Sequence, residues 1–183
     1  INEFFNTNTV KNLKDYKGDT DLICASNVIC HVPDLNNLIE AVDFLLSKNG
    51  TFIFEEPYLG AMFEKVSYDQ IYDEHIFMFS ASSVLKIFKK YNLYLVDAIP
   101  QITHGGSMRY VIKRNNSDNS NNLNKLLDDE DKKKINHIDS CLEFKKNCEI
   151  SKKKLRNKIY AIMKKGKKIA GYAATSKSTT ILN

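Results

Sequence analysis

The stretch DLICASNVICHVPDLNNLIEAVDFLLSKNGTFIFEEPY, residues 21–58, decides the fold. DLICASNVICHV is an acid followed by a short apolar run, the pattern of a strand buried on both faces of a parallel sheet. Leu35, Leu38, Ile39, Val42, Leu45 and Leu46 then recur at helical spacing, with Asp34 placed to cap the helix and Gly50 to stop it. TFIFEEPY, residues 51–58, predicts a second buried strand, ended by two acids and Pro57. Strand, helix and strand at this length form a βαβ unit, and the fold class is α/β.

Working outward, SSVLKIFKKYN (82–92) predicts another amphipathic helix, with Ser82 or Ser83 as its cap. LYLVDAIP (93–100) and SMRYVIKR (107–114) predict two strands paired antiparallel at a sheet edge, with HGG (104–106) in the turn between them. Residues 1–115 therefore read as the second half of a doubly wound domain. RNNSDNSNNLN (114–124) is a polar, low-complexity boundary. Residues 123–165 contain neither Gly nor Pro and are rich in Lys, which predicts one or two long solvated helices in a connector spanning 116–165. In 166–183, KIAGY (168–172) predicts a short strand, and ATSKSTT a small-residue turn opening a helix.

Composition narrows the function classes. With 43% hydrophobic residues the chain can bury a sizeable core. Its apolar runs are much shorter than the roughly 20 residues of a membrane span. The opening INEFFNTNTV has neither the basic start nor the apolar core of a signal peptide. The four cysteines lack CxxC spacing and a His partner pattern, so they read as free thiols of a cytoplasmic protein. The net charge of +5 belongs to one segment: residues 1–112 hold 9 Lys and Arg against 14 Asp and Glu, whereas 113–168 hold 17 against 8. The KKK runs at 132–134 and 152–154 have few interleaved aromatics, which favours a solvated helical face over a nucleic-acid surface. The chain opens on Ile1 and stops within an expected helix, so an internal fragment is expected.

Ligands of open α/β sheets sit at the carboxyl ends of the strands. Those ends carry Asn27 and His31 in one loop, and Glu55, Glu56 and Tyr58 in the other. SYDQIYDEHIFMFSASS (67–83) follows. If helical, it places Tyr68, Tyr72 and His75 on one face, with Glu74 beside His75. An imidazole made more basic by a carboxylate, next to a phenol that can donate to an oxyanion, is suited to removing a proton from carbon beside a carbonyl. A polar loop with surface tyrosines is the plain alternative. HGGSMRY (104–110) adds His104 and Arg109 at a glycine-rich turn, and the hydroxyls and Lys177 of ATSKSTT could hold a phosphate although the P-loop spacing is absent.

Taken in order, CHVPDL, FEEPYLGAMFEKVSYDQIYDEHIFMFS, HGGSMRY and GYAATSKSTTILN resemble the sugar C-methyltransferases, which use S-adenosylmethionine to methylate carbon 3 of a nucleotide-linked 4-keto-deoxysugar. The resemblance implies the C-terminal half of a Rossmann-like class I methyltransferase domain, a helical connector, and the start of a second α/β domain. It implies that a structural zinc domain and the Gly-rich cofactor loop lie before Ile1, and that no metal acts in these residues. On the same resemblance, His75 is the general base, Tyr72 and Glu74 stabilise the enolate and orient the base, and His31 is a further active-site histidine. Glu3 or Phe4 faces the adenine of the cofactor and Asn27 lines its cleft. Tyr58, His104, Arg109, Thr175, Ser176 and Lys177 contact the nucleotide-sugar substrate. Ala173 departs from the family's pattern, which has Gly there. Two rivals remain open: a methyltransferase of this scaffold acting on oxygen or nitrogen, and a basic helical module at 125–168 binding nucleic acid or protein.

Overall fold

The computed structural model describes residues 1–115, 119–172 and 175–183. After the short helix α1 (Thr7–Lys11) come β1 (Thr20–Ser26), α2 (Leu35–Leu45), β2 (Leu46–Pro57) and α3 (Leu59–Lys65). They are followed by α4 (Ala81–Lys89), β3 (Tyr94–Gln101), β4 (Ser107–Lys113), α5 (Asn121–Lys132), α6 (Ile138–Lys164) and α7 (Ser176–Leu182). The four strands form one sheet in the order β1-β2-β4-β3. β1 and β2 run parallel, joined through α2; β4 pairs antiparallel with both β2 and β3. The βαβ unit and the antiparallel hairpin thus stand as expected.

The details of the opening stretch differ in two respects. β1 is not buried on both faces: Ile23 and Ala25 pack inward, whereas Leu22 is 56% exposed and Cys24 is exposed. Among the described residues β1 pairs with β2 alone, and nothing covers the face that carries Leu22 and Cys24. Gly50 does not stop α2. Asp34 caps that helix through the Asn37 amide, at 3.0 Å, but the chain turns extended at Leu46 and runs directly into β2. Gly50 lies within β2, beside the register shift between Thr20 and Leu22. A Cβ there would sit 2.8 Å from the Thr20 carbonyl oxygen and 2.8 Å from the Leu46 side chain, so the glycine serves close approach of two strands.

The core lies between the sheet and α2, α4 and α5. Phe52 and Phe54 project from one face of β2; Phe54 packs against Phe88 of α4 and Tyr110 of β4, at ring-centroid distances of 5.6 and 4.9 Å. The cap of α4 is Ser80 rather than Ser82 or Ser83: its hydroxyl accepts from the Ser83 amide, and the Ser83 hydroxyl accepts from the Ser80 amide. Ser82 instead binds Glu130.

The Lys-rich segment forms two helices of different character. α5 packs against β3 and α4, with Leu123 fully buried. Its Glu130 is buried as well; one carboxylate oxygen accepts from the Tyr58 hydroxyl and the Ala81 amide, the other from the Ser82 amide and hydroxyl. α6 is anchored near its start, where Phe144 stacks on Phe63 of α3 at 5.0 Å, and is otherwise solvated. KIAGY is not a strand: residues 168–172 have no ladder partner among the described residues and stand exposed. Ala173 lies outside the described residues. The expected helix opening is present, with Thr175 capping α7 reciprocally with Ser178.

Candidate active site

The carboxyl ends of β1 and β2 each give rise to a turn that carries a histidine. Beyond β1, a single 3₁₀ turn at Ile29–His31 holds Cys30 and His31. Beyond β2 and α3, residues 67–79 form an irregular loop with one 3₁₀ turn, Tyr68–Gln70, and not the helix that would align Tyr68, Tyr72 and His75. The loop is stitched to the first turn by the backbone, since the Ile76 and Phe77 amides both donate to the Cys30 carbonyl, at 2.9 and 3.3 Å. This brings the His31 and His75 rings to 5.0 Å between centroids.

Hydrogen bonds fix the tautomer of each ring. A carbonyl can only accept, so His75 Nδ1–H donates to the Gln70 carbonyl at 2.8 Å and its Nε2 carries the lone pair. The Tyr72 hydroxyl, 2.6 Å away, donates to that Nε2. By the same reasoning His31 Nδ1–H donates to the Glu74 carbonyl at 2.7 Å, leaving its own Nε2 lone pair available. Glu74 thus contributes its backbone, while its side chain is exposed; the carbonyl that orients His75 is that of Gln70.

The electrostatics suit a neutral imidazole and a protonated phenol. Burial pushes His75 below the ordinary histidine value, His31 and Lys177 push it the same way, and the Gln70 carbonyl and Glu56 oppose them. Burial, with the neighbouring Cys30, Glu74 and Asp69, raises Tyr72 and keeps its proton in place. Cys30, His31 and His75 offer ligand atoms within 4.8 Å of one another, the one such trio among the described residues. Burial and Glu56 hold the proton on the Cys30 thiol, however, and metal coordination needs the thiolate.

A cleft of about 740 Å³ opens beside His31, walled by Phe4, Ser26, Val28, Asn37 and Phe52 among others. Phe4 lies at its rim, 91% exposed, whereas Glu3 and Asn27 are not among its walls. Asn27 turns the chain at the end of β1 with φ of 52°, its amide donating to the Glu55 carbonyl and its side chain to the Ser26 hydroxyl. Lys177 approaches His75 from α7, a placement supported by the Thr180 hydroxyl donating to the Ile71 carbonyl at 2.8 Å. Thr175 and Ser176 begin that helix, Thr175 serving as its cap.

The other expected substrate contacts have partners within the protein. The Tyr58 hydroxyl donates to buried Glu130. Arg109 forms a 2.9 Å ion pair with Glu55, its cross-strand neighbour, which also accepts from the Thr103 hydroxyl. His104 holds the hairpin turn with φ of 50°, and its carbonyl accepts from the Gln70 side chain at 2.7 Å. Two residues that matter here escaped the sequence-based assignment, Gln70 and Glu56. Gln70 is only 3% exposed and links the His75 loop to the hairpin turn. Glu56 was one half of a double acid, but strand parity was available as a signal: positions 52, 54 and 56 share the buried face, leaving 55 to face Arg109.

Two parallel strands joined through a helix and an antiparallel β4 beside them are consistent with a class I, Rossmann-like methyltransferase fold, followed by a helical region. Residues 1–98, more than half of the sequence, match the family model described as a methyltransferase domain, and the chain belongs to that family. Residues 102–183 match the model of a C-methyltransferase C-terminal domain. C-methyltransferase NovU of Streptomyces niveus is 27% identical over 163 residues, which cover 88% of this chain and 39% of that protein. The chain thus spans about two fifths of the length of this curated relative. No helix among the described residues is long and apolar enough to cross a membrane.

Proposed function

We propose that this chain carries the proton-transfer site of an S-adenosylmethionine-dependent C-methyltransferase whose substrate is a nucleotide-linked 4-keto-deoxysugar, methylated at carbon 3. The observation that carries this reading is the Tyr72–His75–Gln70 relay, a neutral imidazole with a phenol at its basic nitrogen. The likeness to a named C-methyltransferase supports it.

The cleft beside His31 fits the cofactor in character, with aromatic and aliphatic walls from Phe4, Val28 and Phe52 and polar groups from Ser26 and Asn37. S-adenosylmethionine bound there supplies an electrophilic methyl group. The chain's own residues handle the proton. His75 Nε2 takes the proton from carbon 3, and Nδ1–H on the Gln70 carbonyl keeps the ring in position to do so. Tyr72 must first release Nε2; its phenol can then donate to the enolate oxygen on carbon 4. Lys177 adds positive charge near the developing anion. A second assignment, His31 as the base, is favoured by its available Nε2.

The test is deuterium entry at carbon 3 of a nucleotide-linked 4-keto-6-deoxysugar in D₂O, with methyl transfer followed by mass spectrometry, for the full-length protein. Exchange and C-methylation both lost in His75→Ala support the first assignment; loss confined to His31→Ala supports the second. Methylation of oxygen or nitrogen, or C-methylation undiminished in both variants, overturns the reading. Salt-sensitive nucleic-acid binding through α6, with no sugar chemistry, would favour the basic-module alternative.

A further inference from the structure

Glu56 is fully buried on the core face of β2. Its Oε1 accepts from two backbone amides, Val28 at 3.0 Å and Ile29 at 2.6 Å. Those amides open the 3₁₀ turn that ends in His31. Its Oε2 is buried and makes no hydrogen bond of regular geometry among the described residues, and the Cys30 thiol, whose proton Glu56 helps to hold, lies close by. A buried carboxylate is costly, and a buried amide would offer the Val28 and Ile29 amides the same acceptor oxygen, so the charge is the feature of Glu56 that the anchor alone does not explain.

We propose that Glu56 is the positioning residue of the histidine pair, anchoring the His31 turn through one oxygen and placing its carboxylate among the groups that surround the two rings. This inference rests on the proposed proton-transfer function, which it deepens. Its elements are independent of each other. The anchor sets where His31 stands relative to the loop, because Cys30, between the anchored amides and His31, also accepts the loop's Ile76 and Phe77 amides. The charge acts on His75 against three influences. These are burial, His31 from the turn after β1, and Lys177 from α7. Cys30 and Tyr72 also face this space, and both are held protonated there, so neither supplies an opposing negative charge. Asp69 and Glu74 act on Tyr72 from the loop itself.

Two variants separate the functions. Glu56→Gln retains an acceptor oxygen for the amides and removes the charge. Glu56→Asp retains the charge and withdraws it from the amides by one methylene. The His31 and His75 ring protons of the full-length protein are titrated by NMR, and the exchange of the Val28 and Ile29 amides is followed in parallel. The Gln variant is expected to lower the His75 midpoint by at least about half a pH unit. The acid limb of carbon-3 deuterium exchange should shift downward with it, while amide protection is kept. The Asp variant is expected to leave the midpoint closer to wild type and to speed Val28 and Ile29 exchange at least about tenfold. An unchanged His75 midpoint in a folded Gln variant overturns the charge role; unchanged amide exchange in a folded Asp variant overturns the anchor. Should neither variant fold, the wild-type protein decides: rapid exchange of the Ile29 amide, or a His75 midpoint insensitive to titration of a buried carboxyl followed by carbon-13 shift, refutes the proposal. The NMR readouts need no substrate, so failure of the sugar chemistry would leave this inference separately testable.

Discussion

Replacing Glu130 with Ala tests whether the helix after the polar segment is structurally part of the sheet domain. The side chain is 2% exposed and accepts four hydrogen bonds, from Tyr58 at 3.0 Å, the Ala81 amide at 2.7 Å, and the Ser82 amide and hydroxyl at 2.9 and 2.6 Å. Hydrogen bonds to a charged group contribute roughly 1.5–3 kcal/mol each, but burying the carboxylate takes back several kcal/mol. Truncation strands the donors unequally. The Ser82 hydroxyl, which accepts from the Asn136 amide, can turn its proton to the Ser80 hydroxyl at 3.3 Å, and half-buried Tyr58 can reach water. The Ala81 and Ser82 amides, at the open end of α4, lose the acceptor that capped them. The expected loss is about 3–5 kcal/mol, the range for breaking a buried charged network. With a urea m-value of about 2 kcal/mol/M this is a fall of roughly 1.5–2.5 M in midpoint, read by far-UV circular dichroism. Glu130→Gln, which keeps one acceptor and places an amide donor against the Ser82 donors, should fall between. A midpoint shift below about 0.5 M in the Ala variant, with m unchanged, would refute the account of α5 as the cap of α4.

Three further outcomes follow from the geometry. Tyr72→Phe should lower kcat for methyl transfer by about 10²–10³ with little change in KM, as loss of one oxyanion donor does; a loss confined to KM would remove the phenol from the reaction. Lys177→Gln takes away a positive charge that holds His75 down, so the acid limb of the rate profile, which lies below the ordinary histidine value, should move toward higher pH. A limb that stays put or moves lower would show that Lys177 does not act on the base. Gly50→Ala should destabilise by about 1–3 kcal/mol in chemical denaturation, because the new methyl meets the Thr20 carbonyl and Leu46 in a backbone-defined gap; a neutral effect would mean that β1 can slide outward.

The elements set by local pattern were legible in the sequence: α2 with its Asp34 cap, the strand through TFIFEEP, and the hairpin around His104–Gly106. Features set by neighbours were not. The exposure of Leu22 depends on what packs on its face of β1, and the role of Gly50 depends on how near Thr20 comes. Tyr72 and His75 were singled out by residue type and do meet, yet the helical face invoked to join them is absent. The loop joins them instead, through carbonyls of Gln70 and Cys30 that carry no signature in side-chain chemistry. Arg109 was singled out as a cation beside glycines, and the anion that its cross-strand position opposite Glu55 supplies was not visible from that pattern.

The place of β4 in the sheet has a consequence for the nascent chain. β4 is the last of the four described strands to be made and sits between β2 and β3. When β2 leaves the ribosome, its free edge has no partner until Ser107–Lys113 arrives about fifty residues later. At about 5–20 residues per second that interval is roughly 3–10 s. Throughout it the TFIF segment carries bare phenylalanines and an open edge, the combination most prone to pair with another chain. β3 emerges earlier and cannot dock on β2 in the native order; it must wait, fold onto β4 as a hairpin, and be delivered with it. Chaperone dependence during synthesis should therefore concentrate on the span from Thr51 to Lys113, and slowing translation within it should lower soluble yield more than slowing it elsewhere.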